Sequence, residues 1–256
     1  MHIQKLVSMS TLWEVFGVPV PFLSATRLQL VDPDALMLFP SVLLICLTLV
    51  NFVGFSVCCP PIAVKDFRRT ISEDFFIFNS SAISAVLNIV SLITANQLPA
   101  LTAFAIEISV SIFEAIYLSN NRRLSVESMV HHVCTPVAIL CSLTRKGVDF
   151  RILAQLSLVT MLSNMAISGC KIMYLKNFIQ NSSGLTISLV ACIAWRLSAP
   201  SVLVTALIVE IMVDPGKPGW TRIYVTSLLM LLYLNGHLTY GIYQRRRRAL
   251  NAKNNL

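Results

Sequence analysis

Two adjacent histidines, His131 and His132, open the apolar run Val133-Cys134-Thr135-Pro136-Val137-Ala138-Ile139-Leu140. An ionisable side chain is costly in hydrocarbon, so histidines at that position mark a functional site. A neutral imidazole can take a proton as a general base or accept an acyl group, with a nearby acid setting its tautomer. Glu127 lies one turn before His131 and Thr135 one turn after it, so a Glu127–His131 contact is available. Neighbouring helical residues point about 100° apart. One histidine is therefore expected to face a cavity and the other an adjoining helix. Glu107 and Glu114 are seven apart, share a helix face, and are expected to point inward.

The surrounding chain has the composition of a membrane protein. Hydrophobic residues make up 55% and charged residues 12% of 256, with a mean hydropathy of +0.73. Soluble domains carry roughly 25% charged residues. The apolar runs are long and unbroken rather than alternating over about ten residues, which excludes the barrel pattern. The expected fold is all-α, a polytopic transmembrane helical bundle of about seven spans.

Those spans read as 35–58, 75–95, 101–119, 126–143, 149–171, 185–213 and 222–243. Asn96-Gln97-Leu98-Pro99 makes a tight hairpin between the second and third. Ser119-Asn120-Asn121-Arg122-Arg123 turns the chain between the third and fourth. No internal repeat is visible, which weighs against a transporter of two similar halves. Residues 1–34 form an extension in which Trp13 and Phe16 would share the lipid-facing side of an interfacial helix. No cleaved signal peptide is expected there. Residues 35–64 hold the first span and a linker, 65–245 the main transmembrane domain, and 246–256 a basic tail.

Net charge is +8. With the C-terminus in the cytosol, twelve Lys and Arg fall on the cytosolic side and seven on the other, while Arg196 lies inside a span. The block Arg245-Arg246-Arg247-Arg248 is expected to meet anionic lipid headgroups rather than nucleic acid. Two sequons, at Asn79 and Asn181, fall at a span's edge and in a cytosolic loop, and neither is expected to carry glycan. The seven cysteines make no metal spacing and read as packing residues, with Cys58-Cys59 a candidate palmitoylation site. No GxGxxG, P-loop or HExxH is present, and no metal or cofactor is expected.

At 1.5 Å per residue, this topology sets the depth of each polar group. Glu114, His131 and His237 lie roughly 7, 8 and 9 Å below the cytosolic face, with Ser163 and Asn164 near the same level. Arg196 is deeper, roughly 16 Å, and is expected to pair with an acid. The expected cavity is lined by Glu114, His131, His132, Asn164, Arg196 and His237.

At these residues the sequence resembles the TLC-domain family, which includes ceramide synthases, translocon-associated membrane proteins and lipid-homeostasis proteins. The likeness covers about residues 65–245. It rests on His131-His132 opening a span, on Ser109-Val110-Ser111-Ile112-Phe113-Glu114 before it, on Thr144-Arg145-Lys146-Gly147 after it, and on Arg196 in the penultimate span. The family's synthases continue with a His-Asp-x-x-Asp element. Here Leu153-Ala154-Gln155-Leu156-Ser157-Leu158-Val159-Thr160-Met161-Leu162 stands near that place without an acid, as in the non-synthase branch. The resemblance implies a multipass protein of the endoplasmic reticulum that binds membrane lipid or maintains its composition. An alternative is a ceramide-synthase-like N-acyltransferase, with His131 and His132 catalytic and acyl-CoA as co-substrate. A third is a translocon or trafficking partner acting through the arginine block.

Overall fold

The computed structural model describes residues 31–58, 66–121, 124–144, 150–197 and 219–254, with isolated positions 201, 204 and 208. The expected interfacial helix around Trp13 and Phe16, the Arg122-Arg123 and Arg145-Lys146 loops, Cys59 and most of 198–218 lie outside them. The described residues are helical and form no strand. The helices are α1 (Pro33–Cys58), α2 (Asp66–Thr94), α3 (Gln97–Asn120), α4 (Val126–Thr144), α5 (Phe150–Leu175), α6 (Asn181–Ala191) and α7 (Gly219–Asn254). A π-helical turn, Cys192–Leu197, continues α6.

Five of these helices are long and apolar enough to cross a membrane: α1, α2 from Ile71, α3, α4, and α5 from Leu153. Large apolar side chains point outward, as on a lipid-facing surface: Met37 and Phe52 are 73% exposed. Polar residues on these helices bond back to the preceding turn. Thr48 donates to the Leu44 carbonyl, Ser56 to Phe52 and Asn79 to Phe75, so their polar groups enter hydrocarbon already satisfied. The apolar run of α7 is interrupted by Asn235-Gly236-His237.

The 96–99 hairpin forms as the sequence indicates. Asn96 caps α3, its side chain accepting from the Leu98 N–H at 3.0 Å. Ala95 takes a left-handed φ of 56°, and Ser91 donates to the Asn96 carbonyl at 2.6 Å. The reversal is short enough to lay α2 directly against α3.

Contacts between helices describe a closed ring. α2 packs on α3, α3 on α4, α4 on α7, α7 on α6, α6 on α5, and α5 back on α2. α1 stands outside this ring against α3, and touches α2. Phe39 and Cys46 of α1 join a core with Leu101, Phe104 and Ile108 of α3. Further along, the Phe113 ring is packed edge-on by Phe55 and Phe76 and stacked by Tyr117. Gly54 allows that closeness, because a Cβ there would lie 2.7 Å from the Phe113 ring. Cys58 is 2% exposed and its carbonyl accepts from Tyr117. A thiol so enclosed does not suit palmitoylation at Cys58.

Gly54→Val should therefore loosen α1 from the ring and cost about 1–3 kcal/mol. Gly236→Ala, which meets nothing within 4 Å, should be neutral or slightly stabilising. Thermal unfolding of the two variants in detergent checks the contrast; equal midpoints would show that α1 does not rest on Phe113.

Candidate functional site

The ring surrounds a half-open cavity of about 1190 Å³ lined by α2 to α7 and, among the described residues, by none from α1. Along α5 the lining runs from Leu153 to Leu175, about 33 Å. The space is thus a slot about as long as the ~30 Å hydrocarbon layer is thick. One end is mostly apolar, with Phe104, Leu143, Leu153 and Leu228, and holds Glu107, Ser142 and Ser157 among them. The other is bordered by Lys171, Arg245 and Arg248.

Between these ends lies a knot of polar side chains centred on Arg196. Its Nε donates to Ser163 Oγ at 2.7 Å, and its Nη2 donates to Asn164 Oδ1. Asn235 of α7 donates to the Arg196 carbonyl at 3.4 Å. Glu114 is the acid within electrostatic reach of the guanidinium. The expectation that Arg196 pairs with an acid is refined accordingly: the direct partners are neutral groups of α5, and the carboxylate stands off. The depth estimate also changes, since Arg196 meets the Asn164 level rather than lying well below it. A π-turn shifts the phase of a helix and occurs often at functional sites; here it carries Arg196.

His131 and His132 both line the cavity. Their rings meet edge-on, centroids 5.4 Å apart at 71°. This differs from the expected division between cavity and neighbouring helix, because the slot is broad enough to meet both faces. The His132 side chain is 7% exposed, and its Nδ1 lies 3.9 Å from Glu114 Oε2. That is beyond hydrogen-bond length, and Nδ1 has no other hydrogen-bond partner. Pro136, four residues on, has no N–H to donate to the His132 carbonyl. His132 thus brings to the slot an unpartnered ring nitrogen, and a carbonyl without its helical donor. Glu127 is exposed and makes no ion pair with His131 among the described residues.

His237 is exposed and does not line the cavity. The α7 residue that does so at this level is Asn235, two positions away and about 200° round the helix. A depth estimate fixes height along the helix but not direction around it, and here height alone pointed to His237. Glu114 and Asn164 line the cavity as expected.

Two further polar groupings are pairings that the sequence does not indicate, although Glu107 is expected to face inward. Lys171 and Asp74 form an ion pair of 2.7 Å across α5 and α2, with Asp74 6% exposed. Deeper in the bundle, Asn88 donates to Ser157 Oγ at 2.7 Å, and Ser157 donates to Glu107 Oε1. These three residues tie α2, α5 and α3 together. A lone polar residue deep in each span was the available signal, but only contact shows that Asn88, Ser157 and Glu107 meet.

No family model, no curated protein and no solved structure matches this chain. Among the described residues no group of histidine, cysteine and acidic side chains is arranged to hold a metal ion.

Replacing Arg196 by Met should lower stability in detergent by about 3 kcal/mol, because Asn164, Ser163 and Glu114 lose a buried cation. Arg196→Lys should recover only part of this, since an ammonium cannot copy a two-nitrogen fork. Asn235→Ala should cost about 1 kcal/mol. Chemical or thermal unfolding orders the three; an unchanged midpoint for Arg196→Met would rule out the knot as a structural element.

Proposed function

We propose that this protein handles lipid inside the slot, as a multipass membrane protein of the TLC type in the endoplasmic reticulum. In this reading seven segments span the bilayer, with α6 and its continuation and α7 completing the set. The C-terminus and the Arg-bordered end of the slot face the cytosol, in line with the Lys and Arg bias. The observation that carries the reading is the slot's shape and lining: about as long as the hydrocarbon layer, mostly apolar at one end, and polar and charged toward the other. An acyl chain fits the first end, and a headgroup or its hydroxyl and amine groups fit the second.

A second reading, N-acyl transfer from acyl-CoA to a long-chain base, is favoured by one contact. His132 lies 3.9 Å from Glu114, so an acid stands beside the imidazole and would orient it, as a general base requires, on closing to hydrogen-bond length. The span-5 stretch that lacks acids in the sequence supplies Ser157 and Thr160 to the wall, and no carboxylate. Histidine chemistry would therefore rest on Glu114 alone. A role through a free arginine tail is less well supported, because Arg246 is tied to Thr186 on α6 at 2.8 Å.

Mass spectrometry of lipid copurified with wild type and with His132→Ala, beside an acyl-CoA plus long-chain base assay, separates these readings. A specific lipid in wild type, depleted severalfold in the variant, with no acyl product, is the expected result. Product formed by wild type and lost in the variant would establish acyl transfer instead. Absence of both would sink lipid handling in this slot.

A further inference from the structure

The four-arginine block divides into groups with different surroundings. Arg245 and Arg248 are three apart, share a face of α7, and line the mouth of the slot. Arg246 donates to Thr186, and Arg247 points away, exposed and outside the lining. Near this end Asp74 is matched by Lys171, and Glu73 accepts from the Tyr117 hydroxyl; Glu114, further inside, is within electrostatic reach of Arg196. Arg245 and Arg248 have no carboxylate partner among the described residues.

The adjoining wall is also prepared for an anion. α5 ends in a turn in which Asn177 takes φ 62°, while its N–H and that of Phe178 bond back to Tyr174 and Met173 at 2.9 Å. This turn delivers the start of α6 to the mouth, where Asn181 lines the slot. Gln180 caps α6 without a side-chain hydrogen bond, leaving first-turn N–H groups available. Further inside, the Nδ1 of His132, nine-tenths buried, waits without a hydrogen-bond partner. Along α7, Arg245 stands about 26 Å from Leu228 at the apolar end, close to the thickness of the hydrocarbon layer. The arginines thus sit at headgroup height for a chain that reaches the slot's apolar end.

We propose that Arg245, Arg248 and the start of α6 form a phosphate-reading rim, and that the slot takes an anionic phospholipid with its phosphate there and its chain inside. This rests on the lipid-handling reading and specifies the ligand class. A phosphate ester presents oxygens to both guanidinium groups and to backbone N–H groups at once. A neutral or zwitterionic lipid of the same chain gains less.

The test uses the full chain in neutral detergent and equilibrium binding of four probes: oleoyl lysophosphatidate, oleoyl lysophosphatidylcholine, monooleoylglycerol and inorganic phosphate. Wild type should prefer lysophosphatidate over monooleoylglycerol by about tenfold or more. Arg245→Gln/Arg248→Gln should abolish that preference, bringing lysophosphatidate binding down to the level of monooleoylglycerol in the same variant. Arg247→Gln, which removes the same kind of charge away from the rim, should keep it. The rim is overturned if the preference survives the double variant, if Arg247→Gln removes it equally, or if inorganic phosphate binds as tightly as lysophosphatidate. Equal binding of all three lipids overturns the rim but keeps lipid handling, whereas failure of all three overturns both. Oleoyl-CoA serves as a control: arginine dependence confined to the CoA ester, and absent for lysophosphatidate, also overturns the proposal.

Discussion

A guanidinium within a helical bundle has to be solvated by the protein, and much of this structure follows from that requirement. Arg196 draws on three helices besides its own. Ser163 and Asn164 of α5 supply oxygens, Glu114 of α3 supplies charge, and Asn235 of α7 fastens the local backbone. The π-turn carries the Arg196 side chain that makes the contacts with Ser163 and Asn164. A cation bound through neutral oxygens, with its carboxylate at a distance, leaves space between opposite charges. The histidine pair lies beside this arrangement.

The ring of six helices is held at several heights rather than by one central core. Near one end, Phe76 of α2 packs on Phe113 of α3, which also receives α1 at Gly54. In the middle, Asn88, Ser157 and Glu107 connect α2, α5 and α3. At the same end as Phe113, Lys171 and Asp74 join α5 to α2. Packing and interhelical hydrogen bonds hold membrane helices together, because lipid tails offer no hydrophobic penalty to escape. Concentrating these bonds in the wall lets the centre stay open without the ring coming apart.

The helical class, the 96–99 hairpin and the inward face of Glu107 and Glu114 were legible in the sequence, because apolar run length and heptad spacing are local properties. The participation of Glu114, His131, His132, Asn164 and Arg196 in one cavity was legible for a related reason: intramembrane polar groups are costly and must face inward. His237 failed because it lies at the right height on the wrong side of α7. The pairing of Asp74 with Lys171 lies 97 residues apart in the chain, and no local pattern encodes it. The arginine block reads in sequence as one solvated run, whereas α7 continues unbroken through it and helical phase sends its members in different directions.

The order of the helices around the ring has a consequence for synthesis. α2 and α3 adjoin through their hairpin, and α5 and α6 through a short turn, so these neighbours can pair as soon as they are made. The wall between α4 and α6 is different, because α7 fills it, packing on both. Until α7 is inserted, the slot is an open trough facing lipid, and Arg196 lacks the Asn235 side of its setting. The ringed space is therefore the last feature of the bundle to come into being during translation, and a chain halted before Gly219 would present its polar lining directly to the bilayer.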